Sequence, residues 1–464
     1  MRADREPRTP AIQDRDPPAL TRLLAEFVER TRWADIPPAV RREAKRALVN
    51  YFAVALAGSA DPAIEKAVAV YGRFSASDEA SVIGRPERTD MLNAAALNAM
   101  SANVYDFDDT HLPTIIHPTA PVAAALFALG EHARLTGEQL LLAFVLGVEV
   151  ECRLGNAISP GHYQRGWHIT STCGVFGAAA AAAKAMHLDA QHIAWAFGNA
   201  SAQSSGLVET LGSMSKSVSV GNAARNGLLS ALLAAEAFSG PERPIEGERG
   251  FLRVTAERPD FGAITEGSGH DWALLSNTYK PYPCGVVLNP VIEACLDLAR
   301  GEQFSIADIE RVELVGHPLL RERTDRPNIR SGREAQVSAQ HAVAVALANG
   351  KAGLAEFSDA SVADPMLRAF GGRVMFIDDP RLAVESAQVT VTLRSGESVS
   401  RKVDAARGSL AAPLADADLD AKLCELAAYG GSGVPAQPLI DALWALNSAS
   451  DAAAPMRLAR ARAG

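Results

Sequence analysis

The 464-residue chain predicts a mostly α-helical protein with an α+β part: a large all-helical domain plus a smaller α+β domain. Three observations carry this prediction. From Pro17 to about Gly240, apolar residues recur at helical spacing almost without interruption. Near residue 270 the pattern turns to short alternating stretches, and beyond about residue 405 helical spacing returns. The expected organisation is therefore a disordered tail over 1–18, a helical domain over 19–272 completed by 406–455, and an α+β domain over 273–405.

The elements follow in order. "MRADREPRTPAIQDRDPP" mixes acids, arginines and prolines without an apolar core, so it reads as a tail and not as a signal peptide. "ALTRLLAEFVERTRW" has helical spacing, and "PPAVRREAKRALVNYFAVALAGS" opens on proline and stops at Gly58. "DMLNAAALNAMSANVYDF", "PTAPVAAALFALGEHARLTG", "GEQLLLAFVLGVEVECRLGNAI", "GVFGAAAAAAKAMHL" and "DAQHIAWAFGNASAQSSG" continue the helical run. Their alanine content predicts closely approaching helices. In the α+β part, Val312 to Val315 reads as a strand and "EAQVSAQHAVAVALANG" as a helix. In "SAQVTVTLRSGESVSRKVD", Val389, Val391 and Leu393 alternate, Ser395-Gly396 turns, and Val399, Arg401 and Val403 return. "DADLDAKLCELAAYG" and "AQPLIDALWALN" are helices, and "DAAAPMRLARARAG" is expected to fray.

Composition excludes several functions. A net charge of −9 argues against a nucleic-acid partner, which needs a clustered basic surface. No apolar run reaches the length of a membrane span. Five dispersed cysteines without a CxxC pair point to a reducing, cytoplasmic setting and to no zinc knuckle. Most of them read as small buried hydrophobes; Cys284 stands apart for its neighbours.

Four stretches carry chemistry. "NVYDFDDTHLPTIIHP" gathers Asp106, Asp108, Asp109, His111 and His117. It reads as a metal site, as an acid–base site, or as a loop in which Asp109 or Thr110 caps a helix. EF-hand and HExxH spacings are absent. "RGWHITSTCGVFG" sets His168 before an alanine-rich helix, where its protonated form is disfavoured, although a structural histidine fits as well. "GSMSKSVSVGNAARNG" puts Lys216 in a Ser/Gly loop and Arg225 on a following helix. It reads as an anion-binding loop or a solvated turn, and Walker spacing is missing. "NTYKPYPCGVVLNP" holds Lys280 on a proline-stiffened segment beside Tyr282 and Cys284. Together these supply cations, imidazoles and carboxylates in an acidic chain. That inventory suits a small polycarboxylate and proton transfer next to a carboxylate.

"DFDDTHLPTIIHPTAPV", "GWHITSTCGVFGAAAAAAKAM", "GSMSKSVSVGNAARNGLLSALLAAEAFSGP" and "KPYPCG" resemble, in order, the motifs of the MmgE/PrpD family, which includes 2-methylcitrate dehydratase, cis-aconitate decarboxylase and iminodisuccinate epimerase. The resemblance spans about residues 20 to 450. It implies a helical domain with an inserted α+β lid, a homodimer, a site between the domains, and neither metal nor organic cofactor. It also implies Lys216 and Lys280 on substrate carboxylates, His117 or His168 in proton transfer, and Asp106 orienting or charging a histidine. Thr110, Arg225, Tyr282, Cys284 and His341 complete the expected set as substrate-binding residues. Asn289 stands where many relatives carry a histidine, and His341 where they often carry an aromatic residue. The expected activity is a cofactor-independent lyase on a small di- or tricarboxylate, foremost dehydration of a 2-methylcitrate-like substrate. Epimerisation of a dicarboxylate such as iminodisuccinate, cis-aconitate-type decarboxylation and non-catalytic carboxylate binding are the alternatives.

Overall fold

The computed structural model describes residues 18–301 and 304–461. The expected N-terminal tail lies outside the described residues, apart from its last position. Ten helices build the first part: α1 (Leu20–Arg30), α2 (Pro38–Gly58), α3 (Pro62–Tyr71), α4 (Met91–Asn103), α5 (Thr119–His132), α6 (Gly137–Ile158), the one-turn α7 (Gly161–Gln164), α8 (Ile169–Ala185), α9 (Ala190–Ser201) and α10 (Ser215–Ala235). Their ends follow local chemistry. Pro38 opens α2 where its missing N–H costs nothing. Thr136 and Gln139 form a reciprocal capping box on α6.

The alanine-rich faces allow the close approach the sequence predicts. A Cβ on Gly147 of α6 would meet the Gly177 carbonyl of α8 at 2.7 Å. These helices bury one continuous core that also takes in Leu419, Leu423 and Leu426 of α18 (Asp416–Gly430) and Leu439, Ile440 and Leu443 of α19 (Ala436–Trp444). The C-terminal helices therefore pack on the helical part. No single helix among the described residues is long and apolar enough to cross a membrane.

The inserted part has its own core, from Tyr282 to Ala406. Its sheet has the order β6-β5-β7-β8, with β5 (Ile309–Gly316), β6 (Val374–Asp378), β7 (Ala387–Leu393) and β8 (Ser398–Val403). The expected hairpin forms, Val391 opposite Val399 and Val389 opposite Arg401, with Gly396 at positive φ in the turn. Helix α12 (Asn289–Gly301) packs over β7 and β8, and α15 (Ala339–Asn349) packs against α12.

Three local expectations are corrected. The helical run is interrupted by short ladders: β1 (Ala80–Ser81) with β2 (Arg88–Thr89), and β3 (Thr110–His111) with β4 (Asn277–Thr278). Lys216 is not in a loop; it sits in the first turn of α10. The segment from Asp451 does not fray over its described length. Pro455 and Met456 bury into the core as helix α20 (Ala454–Leu458), and the Ala459 carbonyl accepts a hydrogen bond from the Gly84 N–H.

Candidate active site

Asp106 is the centre of the site. It follows α4 at a left-handed φ of 53°, a conformation that aspartate tolerates better than most residues. Lys216, from the start of α10, donates to Asp106 Oδ1 at 2.5 Å. Lys280 donates to Asp106 Oδ2 at 2.8 Å and to the Asp106 carbonyl at 2.7 Å. The β3–β4 ladder delivers Lys280: Thr110 pairs with Thr278, and Lys280 follows two residues on. This pairing takes Thr110 out of the capping role, and the Asp109 carboxylate accepts from Thr119 and Asn277 instead.

Charge balance around Asp106 is set by opposing effects. Burial pushes its carboxyl up, but the ammonium groups of Lys216 and Lys280 outweigh burial and hold it well below the usual carboxylate range. Lys280 is the complement: burial, the largest single influence, pulls it down, the charges of Asp106 and Asp108 and the hydrogen bond to Asp106 together lift it more, and the net shift is upward.

His117 approaches the same carboxylate, with Nε2 3.7 Å from Asp106 Oδ1. Its Nδ1 lies 2.8 Å from the Asp109 carbonyl, an oxygen that can only accept. Nδ1 therefore carries the hydrogen, and Nε2 presents a lone pair. Asp108 lies 3.4 Å from Nδ1 on the same side, and Thr110 Oγ1 is 3.3 Å away. Burial pulls the His117 pKa down; Asp108 opposes this, Lys280 reinforces it, and the net shift is downward, so the imidazole is neutral at pH 7.

His168 caps the start of α8 without a side-chain cap bond. Its Nδ1 lies 2.9 Å from Ser171 Oγ and 3.1 Å from Ser219 Oγ. Both hydroxyls donate their own hydrogens to carbonyls, of His168 and Lys216 respectively, so Nδ1 is the donor here as well. Burial and then the Lys216 charge push His168 down to about 3. The site thus holds two neutral imidazoles beside a carboxylate clamped by two ammonium groups.

Two cavities border this cluster. One, of about 510 Å³, lies between the helical part and the insertion and is lined by Asp106, Lys216, Arg326, Asn328 and Arg333 among others. The second, of about 310 Å³, is lined by Thr110, Lys280, Asn289 and Arg323 together with apolar residues. Arg333 ties the insertion to the helical part through the Val104 carbonyl and Asp61.

Asp106, Asp108 and His117 also bring ligand atoms within 4.8 Å of one another. Both oxygens of Asp106 are already engaged by ammonium groups, and a cation there would face two positive charges. The donor set suits an anion better.

Other expected residues lie elsewhere. Arg225 is nine residues beyond Lys216, about 13 Å along α10 by the helical rise, and bonds Asn226. Tyr282 belongs to the core of the insertion. Cys284 is fully buried 3.6 Å from Asn289, its thiol pushed up to about 12 by burial. His341 donates to the Glu356 carbonyl and borders a different cavity, with Gln340 and Arg368. Two groups were missed. Tyr163 lies within electrostatic reach of Asp106, Lys280 and Arg323. Lys422 of α18 reaches the back of the site; its signal was a lysine on an otherwise apolar helical stripe with Leu419, Leu423 and Leu426.

Fold and site together define a two-part, largely helical protein with a buried cluster of imidazoles, an aspartate and two lysines beside a cavity lined by Lys216, Arg326 and Arg333. The chain matches the family model of the MmgE/PrpD N-terminal domain over residues 22–263 and that of the MmgE/PrpD C-terminal domain over residues 282–447, and it belongs to the MmgE/PrpD family. Among its relatives, the cis-aconitate decarboxylase-like protein oryM of Aspergillus oryzae is 29% identical over 314 residues, 64% of this chain and 65% of that protein. The cis-aconitate decarboxylase of Mus musculus is 25% identical over 419 residues, 86% of this chain and 85% of the mouse protein. That of Aspergillus terreus is 29% identical over 280 residues, covering 57% of each.

Proposed function

We propose that this protein is a lyase acting on a small tricarboxylate. Lys216 and Lys280 take substrate carboxylates, and His117 transfers a proton at a carbon beside one of them. One observation carries the reading: a neutral imidazole with an open Nε2 lies against the carboxylate that both lysines share. A proton next to a carboxylate is very weakly acidic, so its removal needs a base and cations near the charge that develops.

Within this class, the resting protonation states favour elimination of water from a 2-methylcitrate-like substrate. Elimination begins with a base, and both imidazoles are unprotonated near neutral pH. The carbon-bound proton goes to His117 Nε2, the electron pair forms the double bond, and hydroxide leaves as water with a proton from a second group. Decarboxylation is the second reading, favoured by the cis-aconitate decarboxylases among the relatives. There the carbon–carboxylate bond breaks, carbon dioxide leaves, and the remaining electron pair takes up a proton.

The test is proton NMR in deuterated water with chelator-treated protein and 2-methylcitrate, citrate, cis-aconitate or iminodisuccinate. A new vinyl signal from citrate, or conversion of the 2-methylcitrate methyl doublet into a downfield allylic methyl singlet, without carbon dioxide supports the dehydratase. Carbon dioxide released from cis-aconitate selects decarboxylation. Deuterium entering iminodisuccinate with an unchanged skeleton would mean an epimerase and overturn the lyase reading.

A further inference from the structure

Lys422 is a buried lysine that the proposed chemistry does not use. It lies on α18, 8% exposed, on the helix face turned to the core. Its Nζ donates to three oxygens: Asn50 Oδ1 at 2.8 Å, the Phe107 carbonyl at 2.9 Å and the Lys280 carbonyl at 2.9 Å. It also lies 3.7 Å from the centroid of the Phe107 ring. Two of these acceptors belong to the site's own backbone. Phe107 follows Asp106 directly, and the other carbonyl is that of Lys280 itself. All three oxygens can only accept, so all three hydrogens of the charged ammonium are in use.

We propose that Lys422 is a positioning residue: its ammonium holds the loop that carries Asp106 and the segment that carries Lys280 at one fixed separation. The substrate lysine and its aspartate partner come from segments more than 170 residues apart; besides the clamp, the contacts of Lys280 with Asp106, the two-residue β3–β4 ladder and the Asn277 bond to Asp109 set the distance. Helix α18, which returns to the helical part after the insertion and buries its leucines there, carries the clamp. It closes the site from behind.

The charged groups facing Lys422 are Asp108, Lys280, Asp109 and Glu425; burial, the largest influence, pulls it down to about 7. A neutral amine has two N–H groups and abandons one of the three oxygens. The clamp is therefore complete below neutrality and loosens as pH rises through that value. Asn50 offers a way to tune it. Its Nδ2 is buried without a partner, so Asn50→Asp removes an unsatisfied donor and sets a carboxylate against the ammonium.

The inference rests on the proposed site, and two measurements separate it from the lyase reading. The first is hydrogen exchange on the free protein, which needs no ligand. Lys422→Met is expected to raise amide exchange over residues 105–111 and 277–281 at least tenfold, with the rest of the helical part unchanged. The second is the affinity for propane-1,2,3-tricarboxylate between pH 6 and 9, followed by thermal shift. Wild-type affinity is expected to fall as pH rises through about 7. Asn50→Asp should move that fall up by about one pH unit or more, and Lys422→Met should bind at least tenfold more weakly with no such fall. Local exchange unchanged in Lys422→Met, or a pH profile that Asn50→Asp does not move, overturns the inference. If Lys422→Met unfolds, the Asn50→Asp profile decides alone. Raised local exchange in a protein that binds no tricarboxylate at any pH would keep the clamp and refute the lyase reading.

Discussion

Replacing Lys280 with methionine tests the charge balance on which the site depends. The Lys280 side chain is 4% exposed and Asp106 25%, and Lys280 supplies two hydrogen bonds, one to the carboxylate and one to the Asp106 carbonyl. Removing one partner of a buried ion pair costs about 3–5 kcal/mol. Here Lys216 remains on the other oxygen and Asp106 is partly open to the cavity, so about 2–3 kcal/mol is expected from the carboxylate and the orphaned carbonyl together. Lys216 is 12% exposed and has Asp106 Oδ1 as its partner, so Lys216→Met should cost less, about 1–2 kcal/mol. The sign with pH follows. The folded-state pKa of Asp106 is depressed, so its contribution is present above the unfolded value, about 4, and is lost as pH falls through the folded value. Lys280→Met reduces the depression. The gap between wild type and variant should therefore be full at pH 7 and close as pH drops below about 4. Urea unfolding at pH 7 and pH 3 measures the gap, and tricarboxylate affinity should fall at least tenfold in parallel. Equal stability of the two methionine variants, or a gap that widens in acid, would refute the charge assignment.

Two further outcomes are expected. His117→Gln should lower kcat by about 10²–10⁴-fold while the unfolding midpoint holds. Since the His117 pKa is depressed, the acid limb of wild-type kcat/KM should lie below the ordinary imidazole value near 6.5; an acid limb centred above that value would show that another group is the base. Glu151 is fully buried on α6 with neither carboxylate oxygen paired, and burial raises its pKa far above the ordinary value. The folded state keeps a proton that the unfolded chain loses above about pH 4.3, so wild-type stability should fall by up to about 1.4 kcal/mol per pH unit from this residue. Glu151→Gln lacks that slope, and its advantage in urea unfolding should grow from pH 5 to pH 8. A constant difference would mean that Glu151 is paired in solution.

What could be read from the sequence and what could not divides along local and tertiary causes. Helix α2 was legible because Pro38 and Gly58 mark its ends, and the β7–β8 hairpin because its alternation flanks a Ser-Gly turn. Strand β6 was not: it is a mostly exposed edge strand, and its register comes from parallel pairing with β5, which leaves no alternating pattern in "VMFID". Lys216 was read into a loop because "GSMSKSVSVG" is poor in helix formers, yet packing of α10 against α4 and α8 overrides that preference. The site behaved likewise. Asp106, His117, Lys216 and Lys280 belong to stretches dense in unusual residues, and these are the groups the fold gathers. Lys422 lies in a stretch whose pattern reads only as a helix, although a lysine among Leu419, Leu423 and Leu426 interrupts the apolar stripe. A buried cation must find acceptors, and here they are carbonyls that no side-chain motif can encode. The exception on an apolar stripe was therefore as informative as the dense motif, but its meaning depended on which backbone the helix was packed against.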